Sequence, residues 1–161
     1  RKRWQEADDP LEKLQKCGKD EISGVTQQVV VFDQRPEDAR DSAKRVFLLT
    51  TIRSFLLEMT TGKMLVFVAL SEFMHEIQSK LIEEGHDNCE VLEGKMSKAA
   101  RKITLEKFQF GSARLLLATS GIAQFVADQR LRGVTHMINF DWCDMEEYAT
   151  RMTVLAAGGL A

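Results

Sequence analysis

The sequence predicts an α/β domain in which a mostly parallel sheet is covered by helices on both faces. Short apolar runs alternate with segments of helical period along most of the 161 residues. The runs at 63–69 (KMLVFVA) and 114–119 (RLLLAT) are almost continuously apolar. Strands buried on both faces look like this, whereas half-exposed strands alternate. Glycine and serine punctuate the boundaries between runs. Strand–helix alternation of this kind builds a parallel sheet.

The elements follow in order. Residues 1–24 are polar and turn-rich, with Pro10, Gly18 and Gly24, and read as a leader or inter-domain linker, although Leu11 and Leu14 fit a short helix. The β-branched run from Val25 to Phe32 predicts a first strand, and with it a domain over 25–161. Pro36 suits a first helical turn. Apolar residues then recur at helical spacing (Ala39, Ala43, Val46, Phe47, Leu49, Ile52, Leu56) as far as Met59. After the strand at 63–69, Ser71 can cap a helix that runs to about Glu84 and stops at Gly85. Cys89–Leu92 predicts a brief strand. Ser97 predicts the cap of a helix over 98–110, closed by Gly111. After the strand at 114–119, residues 120–133 predict one helical turn and a loop. His136–Asp141 predicts a strand, and a last helix spans about 144–156.

Composition narrows the function. With 44% hydrophobic and 29% charged residues the chain fits a soluble globular domain. No apolar run is long enough to span a bilayer, and the charged start has no signal-peptide character. The three cysteines, Cys17, Cys89 and Cys143, have no metal-site spacing and predict reduced thiols in a cytosolic or nuclear compartment. Net charge is −2, so any nucleic-acid contact must use a local patch. Ligands of such sheets meet the carboxyl ends of the strands. The places to inspect therefore follow Ala69, Leu92, Thr119 and Asp141.

Those places carry a resemblance. The run from Lys63 to Val68 resembles the "(I/L)VF" strand of DEAD-box RNA helicases. Leu92 to Arg101 (LEGKMSKAAR) resembles their "LHGxMSQxxR" stretch, and Phe108 to Gly111 their "FxxG". Leu116 to Thr119 resembles the start of "LVATD". Val134 to Asp141 (VTHMINFD) resembles "VxxVINYD", and Glu147, Tyr148 and Arg151 fall on "YxHR". The ordered set resembles the second, C-terminal RecA-like domain of that family and implies a three-layer αβα sandwich. The phosphate loop and the DEAD tetrapeptide belong to the family's first domain and are absent from this chain.

The departures bear on ATP. Where the family reads ATDVAARGLD, residues 118–127 read ATSGIAQFVA, so Ser120, Gln124, Phe125 and Ala127 replace its polar and glycine positions; Asp128 takes the second aspartate's role only after a one-residue slip. The two family arginines that reach the γ-phosphate fall on Val154 and Ala157. Phosphoryl transfer is catalysed by positioning and positive charge, and neither residue supplies charge. The resemblance therefore implies a domain without ATPase activity of its own. Asp128 and Arg151 remain as degenerate nucleotide-binding candidates. ATP and magnesium would enter only with an intact first RecA-like domain, expected in the same longer chain. Phe125 is expected to fill or block the nucleotide cleft.

The RNA side is better kept. The resemblance implies contacts to single-stranded RNA from Phe67, Gly94, Ser97, Lys98, Arg101, Thr119 and Ser120. Between residues 95 and 114 stand six basic residues and only one acidic residue, Glu106. Such a run is also what a solvated helix face looks like. Further expectations are a core or edge position for His136, no ligand role for His75 or His86, and strand-end solvation for Asp141 and Asp144. Trp142 either packs or is exposed to stack or dock, and Cys143 is alternatively a reactive thiol. The resulting reading is an RNA-binding, helicase-like module of a cytoplasmic RNA-metabolism or small-RNA-silencing protein. Degenerate helicase-like domains of some Tudor-containing germline proteins are similar in this respect. The rivals are a protein-interaction or self-association platform, with Met152, Val154, Leu155, Ala156 and Ala157 in an apolar tail, and one half of an active helicase.

Overall fold

The computed structural model describes residues 25, 26, 28–32 and 37–158. Along the chain come α1 (Glu37–Glu58), β1 (Lys63–Val68), α2 (Ser71–Glu83), β2 (Cys89–Leu92) and α3 (Lys98–Phe110). They are followed by β3 (Leu115–Thr119), a 3₁₀ turn (Ser120–Ile122), α4 (Ala123–Asp128), β4 (Val134–Asn139) and α5 (Met145–Gly158). The strands form one parallel sheet in the order β2-β3-β1-β4. Leu65 of β1 stands opposite Leu116 of β3 and Met137 of β4.

Alternation along β1 and β3 feeds two separate cores. On one face Met64, Val66, Leu115 and Leu117 pack with Leu48 and Ile52 of α1 and with Met74 and Ile77 of α2. On the other, Leu65, Phe67, Leu116 and Ala118 pack with Leu105 and Phe108 of α3, Val126 of α4 and Val154 of α5. This is the predicted three-layer sandwich. Both faces are covered because the central strands are apolar from Met64 to Val68 and from Leu115 to Ala118, which is why they read as continuous runs.

Several details differ from expectation. The described residues of the Val25–Phe32 run form no strand, and Val29 and Val31 are 76% and 81% exposed. A β-branched run becomes a strand only with a ladder to join, and no strand of the sheet pairs with it. The buried stripe of α1 is Leu48, Leu49, Ile52 and Phe55, and Val46 and Phe47 are exposed. β4 starts two residues earlier than predicted because pairing with β1 begins at Lys63 and Val134. The Asp141 carboxylate accepts a hydrogen bond from the Ala69 N–H, so it ties the ends of β4 and β1 together. The 1–24 leader with its short helix, Pro36 and the side chain of Ala157 lie outside the described residues. No described helix is long and apolar enough to cross a membrane.

The far end of the sheet fixes α3. Lys63 Nζ donates to the carbonyl oxygens of Phe108, Gln109 and Ala113, and so serves the open C-terminus of that helix. Its pKa is lowered by burial. Lys63→Met removes a charged donor from three carbonyls. We expect it to cost about 1–3 kcal/mol, seen as a lower thermal midpoint beside an unchanged midpoint for Lys102→Met on the exposed face of α3.

Candidate nucleic-acid interface

The carboxyl ends of β2 and β3 converge on the turn that opens α3. Ser97 is the helix cap, and its hydroxyl accepts from the Ala100 N–H at 3.2 Å. The N-terminus of α3 thus presents oriented N–H groups and positive partial charge. The Gly94 N–H donates to Thr119 Oγ1 at 3.2 Å, joining the loop after β2 to the end of β3. A Cβ built on Gly94 would meet only Ile122 Cγ2, at 3.7 Å, so the glycine is not needed for packing and leaves the backbone open to a close neighbour. Lys98 is exposed and has no ion-pair partner among the described residues. Arg101 donates through Nη2 to the Gly94 carbonyl, and its guanidinium lies 5.4 Å from the Phe125 ring centroid.

The basic run divides when folded. Arg114 reaches the carbonyls of Leu56 and Gly62 at the opposite end of the sheet. Lys107 faces Glu90 and Lys102 faces Glu106, both loosely. Lys95 leans on Glu93 at 3.3 Å while remaining 72% exposed. The expected field of six cations thus becomes a compact one of Lys95, Lys98 and Arg101 around the turn.

Beneath that turn lies a residue the sequence reading passed over. Glu93 is buried, at 4% exposure, and accepts from His75 Nε2 at 2.8 Å. Burial raises its pKa, but hydrogen bonds from His75, Lys95 and Ser71 together outweigh it and hold the carboxyl below its ordinary value. Ser71 is therefore a partner of Glu93 and not the cap of α2, whose cap position is Leu70. A depressed carboxyl pKa gives stability that is present above the unfolded value and is lost as pH falls through the folded one. Glu93→Gln should lower stability at neutral pH by about 1–2 kcal/mol. Its unfolding curve should merge with the wild type in acid, below the depressed pKa, in paired denaturant melts.

The nucleotide side is organised differently. Arg151 is fully buried; it donates to Glu147 Oε1 and, at 2.8 Å, to Asn139 Oδ1, and its guanidinium lies 4.4 Å from the centroid of Phe67. All three of its nitrogens are thus engaged inside the fold, and the structure gives Arg151 a packing position. Phe67 is itself fully buried beneath it and shows no surface to RNA. Val154 is buried in the core under α5. Asp128 is exposed and accepts from Gln124 Nε2 at 2.7 Å within α4. Ser120 lines a shallow cleft of about 250 Å³ with Gly121, Gln124, Asp144, Glu146 and Glu147. Glu147 is paired with Arg151, but Asp144 and Glu146 have no cation partner among the described residues and oppose a polyphosphate. Phe125, expected to fill the cleft, does not line it and turns instead to Arg101.

His136 is exposed on the edge strand and touches Phe55 ring to ring. Burial pushes the Cys89 thiol up to about 12 and, as the largest influence, raises that of Cys143, which removes support for a reactive thiolate. No described cluster of His, Cys, Asp or Glu has the make-up of a metal site. Trp142 is 94% exposed.

The model of the helicase conserved C-terminal domain matches residues 43–153, from within α1 to within α5. The chain belongs to that family. Among relatives, this helicase C-terminal domain is 30% identical over 104 residues to the ATP-dependent RNA helicase DBP5 of Mycosarcoma maydis, covering 65% of the chain and 21% of the relative. It is 28% identical over 130 residues to the pre-mRNA-processing ATP-dependent RNA helicase PRP5 of Meyerozyma guilliermondii, covering 80% and 14%. The chain thus spans about a fifth or less of the length of these relatives. Among solved structures, the C-terminal domain of the DEAD-box protein Dbp5 superposes with a TM-score of 0.58 at 22% identity, over 74% of this chain and 64% of that one. The E. coli DEAD-box protein SrmB, bound to the regulator of ribonuclease activity A, gives 0.55 at 28% identity, over 69% and 61%. The fold and the membership of the helicase C-terminal family are therefore established, and the similar proteins include DEAD-box RNA helicases.

Of the residues anticipated for RNA, the fold gathers Gly94, Ser97, Lys98, Arg101 and Thr119 around the turn that opens α3. Ser120 falls at its margin, in the acidic cleft, and Phe67 falls inside the core. Glu93 went unnoticed because a lone glutamate carries no periodic signal, and its partner His75 is eighteen positions away.

Proposed function

We propose that this domain grips single-stranded RNA through its sugar–phosphate backbone and does not by itself hydrolyse ATP. The observation that supports it best is the convergence of a helix N-terminus, an open glycine backbone and the cations Lys98 and Arg101 at the carboxyl ends of β2 and β3. Such a surface positions a phosphate chain without reading bases. The curated relatives are named RNA helicases, which agrees with RNA as the polymer. ATP silence is supported by the engaged Arg151, the buried Val154 and the carboxylate-lined cleft. In the longer protein, a first RecA-like domain would supply ATP and magnesium.

Titrating a labelled, short single-stranded RNA into the chain should give saturable binding without nucleotide, and a flat titration contradicts the RNA half of the proposal. Phosphate release from ATP plus RNA should stay at the level of a protein-free blank, and turnover contradicts the other half. Within RNA metabolism we propose small-RNA silencing in the cytoplasm as one place for the longer protein. Cross-linked RNA from cells should then be rich in small RNAs, and a pool of messenger RNA alone would refute that assignment.

A second reading has its own observation. Trp142 and Leu70, at 94% and 63% exposure, flank the Asp141–Ala69 contact at the end of the sheet. An exposed tryptophan beside a second apolar side chain is the usual core of a protein-docking patch, and SrmB is bound to a protein regulator. Concentration-dependent mass that survives loss of RNA binding would favour this assembly role.

A further inference from the structure

We infer that Phe125 is a positioning residue for the phosphate grip: its ring, together with the Gly94 carbonyl, holds the Arg101 guanidinium over the turn where an RNA phosphate would enter. The inference rests on the RNA-binding reading above and adds to it a residue that the family resemblance would leave out, since the family has glycine there. Three observations carry it. The guanidinium carbon of Arg101 lies 5.4 Å from the Phe125 centroid, inside the range of cation–π attraction. Arg101 Nη2 donates to Gly94 O, so the cation is fixed from two sides, by α4 and by the turn. Arg101 Nε is buried and has no acceptor among the described residues, although buried donors are normally satisfied.

A long side chain usually loses rotamer freedom when it takes hold of a ligand. Here much of that ordering is already done, because Phe125 sits on α4 and packs against the core beneath it. The unfilled Nε donor marks where an acceptor is missing. A phosphate oxygen arriving beside Gly94, with a small rotation of the guanidinium, would supply one with a charge-assisted bond. The same contact accounts for Phe125 lying outside the lining of the acidic cleft.

The test is a double-mutant cycle on RNA affinity with Phe125→Ala, Arg101→Ala and the pair, beside Phe125→Leu and Phe125→Tyr, with thermal melts of each. Phe125→Ala should weaken binding about three- to tenfold. Phe125→Leu, which keeps the packing, should melt near the wild type and still bind weakly, and Phe125→Tyr should restore affinity. Once Arg101 is alanine, replacing Phe125 should change nothing further. Full affinity in Phe125→Leu, or effects that multiply independently in the double variant, would overturn the inference while leaving RNA binding intact. A wild type that binds no RNA would overturn the proposed function and this inference together.

Discussion

Lys98→Glu combined with Arg101→Glu is expected to lower RNA affinity by about a hundredfold at low salt, with the fold intact. Each residue can offer a phosphate a charge-assisted hydrogen bond worth roughly 1.5–3 kcal/mol, and each tenfold in affinity is about 1.4 kcal/mol. Reversal also places two carboxylates at the N-terminus of α3, where the oriented N–H groups would hold them instead of a phosphate. Lys98 is exposed, so its replacement disturbs no packing. Arg101 is half-buried against Phe125, so Arg101→Glu should cost some stability, which a melt of the single variant measures. The control is Lys102→Glu with Lys107→Glu, which adds the same charge further along α3 and should weaken binding far less. Equal losses in the two pairs would mean a diffuse field and no defined grip.

Arg151→Ala is expected to be the most destabilising single change in the domain, by about 3 kcal/mol, because a fully buried guanidinium gives up its packing and its hydrogen bonds to a half-buried carboxylate and an amide. Glu147 and Asn139 lose their donor and the ring of Phe67 loses its cation. For a domain of this size that is a fall in thermal midpoint of roughly 10 °C. Arg151→Lys should recover only part of it, since an ammonium cannot reach Glu147, Asn139 and the ring with a planar fork. If Arg151 served nucleotide and not the fold, the melt would scarcely move. RNA affinity of any variant that remains folded should be close to wild type, because Arg151 contacts Phe67 of β1, Asn139 of β4 and Glu147, and none of the residues of the α3 turn.

The architecture was legible because its signals are local. Two fully apolar strands, the Ser97 cap and the glycine stops are each written within a few residues, and the structure places β1, β2, α3 and β3 where those signals put them. The Val25–Phe32 run misled because strand propensity cannot say whether a neighbouring strand exists. The RNA turn was legible as an ordered set of short motifs, but the fate of each side chain was not. Arg114 is one of six basic residues in the sequence, yet its guanidinium is spent on carbonyls of Leu56 and Gly62 more than fifty positions away. The sequence makes Arg151 a nucleotide-binding candidate because nothing near it in sequence announces a buried site for a guanidinium. Only the packing of Phe67, Asn139 and Glu147 makes one. Phe125 was read against the cleft and faces Arg101, a choice made by the short helix α4 and invisible in its own neighbours.

A compact cationic turn that holds an RNA backbone should betray itself in salt. The most direct test is the salt dependence of affinity for a short single-stranded RNA, measured by fluorescence anisotropy without nucleotide. With Lys98 and Arg101 as the main contacts, log affinity should fall against log salt with a slope of about −1 to −2. The charge-reversed pair should flatten that slope towards zero. Binding that is absent even at low salt, or whose slope is unchanged by the charge reversal, would contradict the account.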